Sequence, residues 1–272
     1  MALSTMRRGL FAFNSVCSPL TMNIPSPKTF TGTMPKRIAA PRPCLLLAVC
    51  LCLYSSLVAA ASPPLHEDFQ TWTNITANGS FGLIDPKLQN FRFWLEGQGR
   101  FGHDSTTLSQ GILRPGLGYS FADNASVWLG YAFIPTMEPF TRNAFNENRI
   151  WQQILWTPQT PLGPLTSRTR LEQRFTLNPD VSYRFRQMFR LAYPFSFAPG
   201  FMLVGWEELF LNLNSTGTIT SGFDQNRAFV GVGYNFDEHI RTEVGYMNQY
   251  VYRDTTRNFL NHVLSISLFL NY

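Results

Sequence analysis

From Asp68 to its last residue the chain alternates, and alternation sustained for two hundred residues admits few folds. In residues 90–101 the even positions are Asn90, Arg92, Trp94, Glu96, Gln98 and Arg100; the odd ones are Phe91, Phe93, Leu95, Gly97, Gly99 and Phe101. Successive strand side chains point to opposite faces, so this run has one polar and one apolar face. A helical stripe would repeat at three and four residues, and that spacing is absent. The same pattern predicts strands over about 69–77, 108–121, 125–134, 147–156, 165–176, 181–193, 201–214, 225–236, 240–251 and 261–272. Most runs have about ten residues, the length of a tilted strand that crosses a bilayer.

A soluble sandwich alternates too, and the strand ends separate the two readings. Phe121, Trp156, Tyr193, Phe236 and Tyr272 close alternate runs, each with the parity of its strand's apolar face. That is an aromatic girdle at one membrane interface. Short connections follow two of them, at 122–125 and 237–239, whereas the long connections 135–146 and 215–224 lie at the opposite ends. The fold expected is therefore an antiparallel transmembrane β-barrel. Eleven runs are clear, and a single-chain bacterial barrel usually has an even number with both ends on the periplasmic side. Asn78-Gly79 reads as a two-residue hairpin, residues 80–85 as a short returning strand, and Pro86-Lys87 as the next turn. The expected count is then about twelve, with ten or fourteen as alternatives.

Composition fits. The 272 residues are 15% aromatic and only 14% charged, against about 25% charged in a soluble domain. The basic excess is confined to residues 1–61, which hold Arg7, Arg8, Lys28, Lys36, Arg37 and Arg42 and no acid; sixteen basic and seventeen acidic residues remain beyond them. The pI of about 9.2 is thus no sign of a nucleic-acid partner. All four cysteines, Cys17, Cys44, Cys50 and Cys52, lie in the same leader. Lys36, Arg37 and Arg42, the apolar run 44–58 and Ala59-Ala60-Ala61 form a secretory signal with the mature chain starting near Ser62. A membrane anchor is the competing reading, but the run is short of the ~20 residues a span needs. Leu47-Ala-Val-Cys50 only imitates a lipidation box, and Met34 is an alternative start.

The polar parity of the mature chain is dominated by arginine. The inward set is Arg92, Arg100, Arg114, Arg149, Arg168, Arg170, Arg174, Arg184, Arg186, Arg190, Arg227 and Arg241, with Glu96, Glu147, Glu172, Glu208 and Glu243. Trp94, Trp151 and Trp206 share that parity. Guanidinium is planar, always charged, and grips carboxylate or phosphate bidentately. Two readings follow: a narrow channel favouring anions or acidic oligosaccharides, or an Arg–Glu lattice, with stacked Trp, that closes the lumen. Within the pair of strands 165–176 and 181–193, six arginines face only Glu172. Glu207 carries a charge on the lipid-facing parity, and a bulge that shifts the register there would account for it.

Other functions find less support. An enzyme working at the outer rim would use His103, Asp104 and Ser105, or His262, but no spacing fixes a catalytic pair. The long loops could serve an adhesin. No metal, cofactor or nucleotide motif is present, and none is expected. The expected partners are outer-membrane lipids, the barrel-assembly machinery and small anions. The last strand, with Leu264, Ile266, Leu268, Leu270 and terminal Tyr272, is similar to the C-terminal signature by which outer-membrane barrels are recognised for assembly. Over about 67–272 the chain also resembles an uncharacterised bacterial outer-membrane barrel family, catalogued only as a domain of unknown function. The resemblance is carried by Asp68-Phe-Gln-Thr-Trp72, Leu113-Arg-Pro-Gly-Leu-Gly-Tyr119, Trp128-Leu-Gly-Tyr131, Glu147-Asn-Arg-Ile-Trp151, Ser167-Arg-Thr-Arg-Leu-Glu-Gln-Arg174, Glu207-Glu-Leu-Phe210 and Gly245-Tyr-Met-Asn248. It implies a barrel in the bacterial outer membrane and no particular activity.

Overall fold

The computed structural model describes residues 65–253 and 257–272; the leader and cleavage site expected within residues 1–62 lie outside them. Eleven strands make the wall: β1 (Leu65–Ser80), β2 (Phe91–Gly102), β3 (Thr107–Ala122), β4 (Ala125–Thr136), β5 (Phe145–Trp156), β7 (Gly163–Phe175), β8 (Ser182–Pro194), β9 (Phe201–Asn212), β10 (Gly222–Asn235), β11 (Ile240–Val251) and β12 (Asn258–Asn271). A two-residue strand, β6 (Gln159–Thr160), pairs only with the start of β7. Wall strands pair antiparallel with their sequence neighbours, β5 with β7 included, and a parallel seam between β1 and β12 closes the ring. Closure leaves no edge with unpaired amides, the requirement for a sheet surrounded by lipid. Among the described residues there is no α-helix.

The count corrects the expectation of an even-stranded barrel. Asn78 and Gly79 are not a hairpin; they continue β1, opposite Trp94 and Phe93. Residues 80–85 are not a strand. The Ser80 hydroxyl accepts from the Gly82 amide at 2.9 Å and opens a 3-10 turn over Phe81–Leu83. The Asp85 carboxylate caps a second turn, Pro86–Leu88, with Pro86 at its first position. Ser and Asp side chains that bond nearby amides compete with a sheet ladder, and here two caps in six residues win. With eleven strands the first and last run in the same direction. β1 therefore starts, and β12 ends, at opposite rims, which corrects the expectation of both ends on one side.

The end where β12 finishes is the girdle rim: Phe121, Trp156, Tyr193, Phe236 and Tyr272 stand exposed there. The difference in loop length between rims is weaker than the sequence suggests, because the capped segment 81–90 is also at the girdle rim. Between the rims the outside exposes Leu95, Leu117, Leu129, Ile154, Phe189, Leu203, Val230 and Ile266, among many large apolar side chains. The outside is not wholly apolar. Glu207 points out with no bulge in its pairing to β8, which corrects that account. Its carboxylate accepts from Asn226 Nδ2 at 3.0 Å, and elsewhere on the outer face Gln152 and Gln173 pair reciprocally at 3.0 Å.

Inside, two apolar clusters flank the charges. One holds Trp72, Val204, Phe229, Met247 and Val263; the other Ile112, Trp128, Ile134 and Trp151. Trp151 is fully buried because Gly116 makes room: a Cβ there would come within 2.6 Å of the indole.

Candidate functional site

Toward the far rim the interior is a continuous ion-pair lattice. Glu172, 1% exposed, is its hub. Arg186 and Arg184 reach it at 2.6 and 2.7 Å, with Arg149 at 3.6 Å and Arg170 at 4.0 Å. Glu147 binds Arg149 at 2.7 Å and Arg174 at 2.5 Å. Glu208 binds Arg186 at 2.7 Å and Arg168 at 2.8 Å. The strands explain the convergence. Arg170 lies opposite Arg186 and Glu172 opposite Arg184 on β7 and β8, while β5 and β9 bring Glu147 and Glu208 in from either side. Arg170 packs over Trp151 at 4.7 Å and donates to Gln153 Oε1 at 2.6 Å. Phe210 lies under Arg184, Arg186 and Arg227.

Two members of this lattice escaped the sequence reading. Asp224 binds Arg184 at 3.2 Å and Arg253 at 3.0 Å, and is 5% exposed. By parity with Arg227 it belongs outside. A register shift between Phe223 and Gln225 turns it inward, and such a bulge leaves no mark in alternation. Arg253 follows β11 in a connection that carries no strand parity at all.

The girdle side of the interior is different. A cavity of about 590 Å3 extends inward from that rim and is lined by Arg92, Arg100, Arg114, Arg168, Arg186, Arg190, Arg227 and Arg241 against Glu96, Glu208, Glu243 and the rim residue Asp123. Eight positive charges face four negative ones. Five of the arginines are paired: Arg114 with Glu96 at 2.6 Å, Arg168 and Arg186 with Glu208, and Arg190 and Arg241 with Glu243 at 2.5 and 3.0 Å. Arg92 has no carboxylate within 4 Å among the described residues, nor has Arg100, which donates to Gln98 and Gln110 at 2.9 and 2.8 Å. Arg227 meets Glu208 only at 4.0 Å. Both Arg100 and Arg227 lie over the Trp72 ring, at 3.8 and 4.9 Å.

Residues at the cavity mouth, such as Arg92, Arg241, Phe269 and Asn271, are half-exposed. Inward residues at the far rim, Gln70, Thr136, Glu147, Ser182, Asn212 and Asn258, are all buried. The twelve arginines and five glutamates singled out from the sequence thus divide between a buried ion-pair lattice and the lining of the girdle-side cavity.

His103, Asp104 and Ser105 make a turn with positive φ, its amides held by the Asp68 carboxylate at 3.3 and 3.2 Å. His262 lies on the outside, 2.6 Å from the Tyr246 hydroxyl and 3.8 Å from Glu67. Tyr272 closes the seam: its amide donates to Asn78 O at 2.9 Å, its carbonyl accepts from Ser80 at 2.8 Å, and its ring stacks on His239. In the turn before β11, Asp237 accepts from the amides of Ile240 and His239 at 2.7 and 2.8 Å. Those backbone donors hold its carboxyl below the ordinary range. Among the described residues no group of His, Cys, Asp and Glu has the arrangement of a metal site.

A closed, mostly antiparallel barrel with an arginine–carboxylate interior defines the class. The chain belongs to the family described as "Protein of unknown function (DUF2490)", which matches residues 69–260. It is 35% identical over 231 residues to an uncharacterised protein of Methylorubrum extorquens, across 84% of this chain and 97% of that one.

Proposed function

We propose that this is a barrel of the bacterial outer membrane whose lumen is closed by its own ion pairs, and which acts through the basic vestibule at its girdle rim. The membrane reading is supported by the outer face. A wall that exposes Leu117, Leu129, Ile154 and Val230 to water would aggregate, whereas lipid covers it at no cost. The closed reading is carried by Glu172, whose four arginine neighbours would all have to separate before a pore could open. The leader is removed near Ser62, lipid surrounds the wall, and the barrel-assembly machinery inserts it. Membrane fractionation with mass spectrometry tests the address: the outer-membrane form should begin near Ser62 and contain no cysteine, and an intact 44–58 segment refutes it.

One observation favours a second reading, an anion-selective channel: the vestibule's excess of arginine. Planar-bilayer recording decides between them. The closed barrel gives no steady conductance, and an Arg170→Gln/Arg186→Gln double variant unfolds more readily without gaining one. A steady anion-selective current that weakens in that variant establishes the channel instead.

A further inference from the structure

We propose that the vestibule binds an organic oxyanion, a phosphate or carboxylate head carried on a compact apolar body, with its head between Arg100 and Arg227. This inference rests on the closed-barrel reading above, because a blind cavity retains what enters it.

The inner end of the cavity concentrates positive charge that the protein answers only weakly: Arg227 has Gln225 Oε1 at 3.4 Å beside the distant Glu208. Arg227 is 8% exposed and has its nearest carboxylate at 4.0 Å. Arg100 has only the neutral carbonyls of Gln98 and Gln110. Trp72 holds both guanidinium groups over its ring, so neither is free to swing out to bulk water. A buried donor without an acceptor is costly, and the Nε atoms of Arg100, Arg114 and Arg168 are buried with no hydrogen-bond partner. All three arginines line this one cavity. An occupant that supplies acceptors satisfies them, and one that also carries negative charge offsets the excess of arginine. Planar oxyanions fit the guanidinium fork bidentately.

The walls select the rest of the molecule. Between the mouth and the arginine pair the cavity is flanked by Trp94 edge-on to Trp128 at 5.6 Å, and by Trp206 stacked on Phe229 at 5.2 Å. A bare inorganic anion leaves these rings unused, whereas an organic body with a flat apolar face packs against them. Arg241, lying over Phe269 at 4.6 Å, keeps the mouth positive and draws anions inward. A cavity of about 590 Å3 has the size usual for small-molecule sites.

The test uses the full barrel reconstituted in lipid nanodiscs, so that no detergent micelle competes. Calorimetric titration is run with 1-naphthyl phosphate, hexyl phosphate, inorganic phosphate and 1-naphthol. The naphthyl and hexyl arms distinguish an aromatic body from an alkyl one. At least one of the two organic phosphates should bind saturably, one per barrel, with inorganic phosphate and 1-naphthol at least tenfold weaker. Arg100→Gln and Arg227→Gln should each weaken binding about tenfold, the loss of a charge-assisted contact. Arg142→Gln, in the exposed far-rim loop, should leave it unchanged. In the unaltered protein, raising salt from about 0.05 M to about 1 M should weaken it at least tenfold; this keeps the proposal falsifiable if a variant does not fold. Absence of saturable binding, equal binding of 1-naphthol, or insensitivity to salt overturns the proposal, as does equal affinity in both arginine variants. The closed-barrel reading fails separately, by conductance, whatever these titrations give.

Discussion

Replacing Glu172 by glutamine tests the lattice at its centre. The substitution keeps the shape and one acceptor but removes the charge shared by Arg184, Arg186, Arg149 and Arg170. Breaking a buried ion pair from one side costs about 3–5 kcal/mol, because the partner's charge is left in place. The structure points to the lower end of that range. Arg184 retains Asp224 at 3.2 Å, Arg186 retains Glu208 at 2.7 Å and Arg149 retains Glu147 at 2.7 Å. Only Arg170 loses its one carboxylate neighbour, and it keeps Gln153. The expected loss is therefore about 3 kcal/mol. With a urea slope of about 2 kcal/mol/M, the unfolding midpoint should fall by about 1.5 M. Tryptophan fluorescence in urea, read alongside the gel mobility of boiled and unboiled barrel, measures it. Glu238→Gln, whose side chain is 86% exposed, is the control and should stay within ~0.5 kcal/mol. Adding Arg186→Gln to Glu172→Gln should cost less than the sum of the two, by about 0.5–3 kcal/mol. A Glu172→Gln barrel within ~0.5 kcal/mol of the parent refutes the claim that these ion pairs close and hold the lumen.

Three further outcomes can be read with the same assays. Gly116→Val forces a side chain into the Trp151 indole and should cost about 1–3 kcal/mol, as overpacking does; an unchanged urea midpoint would mean Trp151 is free to move. Deleting Tyr272 removes the two backbone hydrogen bonds that end the β1–β12 seam, so the fraction of chain reaching the membrane in heat-modifiable form should drop, and normal assembly contradicts it. Asp237 has a folded pKa below its unfolded value. Its contribution is therefore present above the ordinary carboxyl pKa of about 3.9 and is lost as pH falls through the folded value. An Asp237→Ala barrel should be less stable than the parent at neutral pH and converge with it on acidification, and a gap that persists in acid argues against this role.

Alternation made the wall legible from the sequence, since a side chain's face is fixed by its number once one residue in a strand is placed. It failed where the backbone departs from that count. The bulge beside Asp224 moved an acid inside, and the caps formed by Ser80 and Asp85 replaced a strand by two turns. Partnering was less legible than facing. Arg184 and Asp224 are forty residues apart, as are Arg168 and Glu208, and which acid reaches which arginine depends on stagger between non-adjacent strands. The six arginines of β7 and β8 looked uncompensated because their acids come from β5, β9, β10 and β11.

The distribution of charge along the strands, more than its sum, decides what the interior does. An even column of arginine would draw anions along the whole axis. In this barrel the carboxylates of Glu147, Glu172 and Asp224 gather toward the far rim, where each meets two or more guanidinium groups. Every additional pair there adds to a hydrogen-bonded network whose members reinforce one another, and in the closed-barrel reading proposed above they must break together before that end opens. Glu96 and Glu243 on the girdle side are too few for their neighbours, and Arg92, Arg100 and Arg227 are left over. An anion entering from the girdle rim meets Arg92, Arg100 and Arg227 with no carboxylate among the described residues closer than 4.0 Å, whereas Arg149, Arg174 and Arg184 already hold carboxylates. That uneven division is what the proposed ligand site rests on: an excess of arginine confined to one end suits retention of an anion better than its passage.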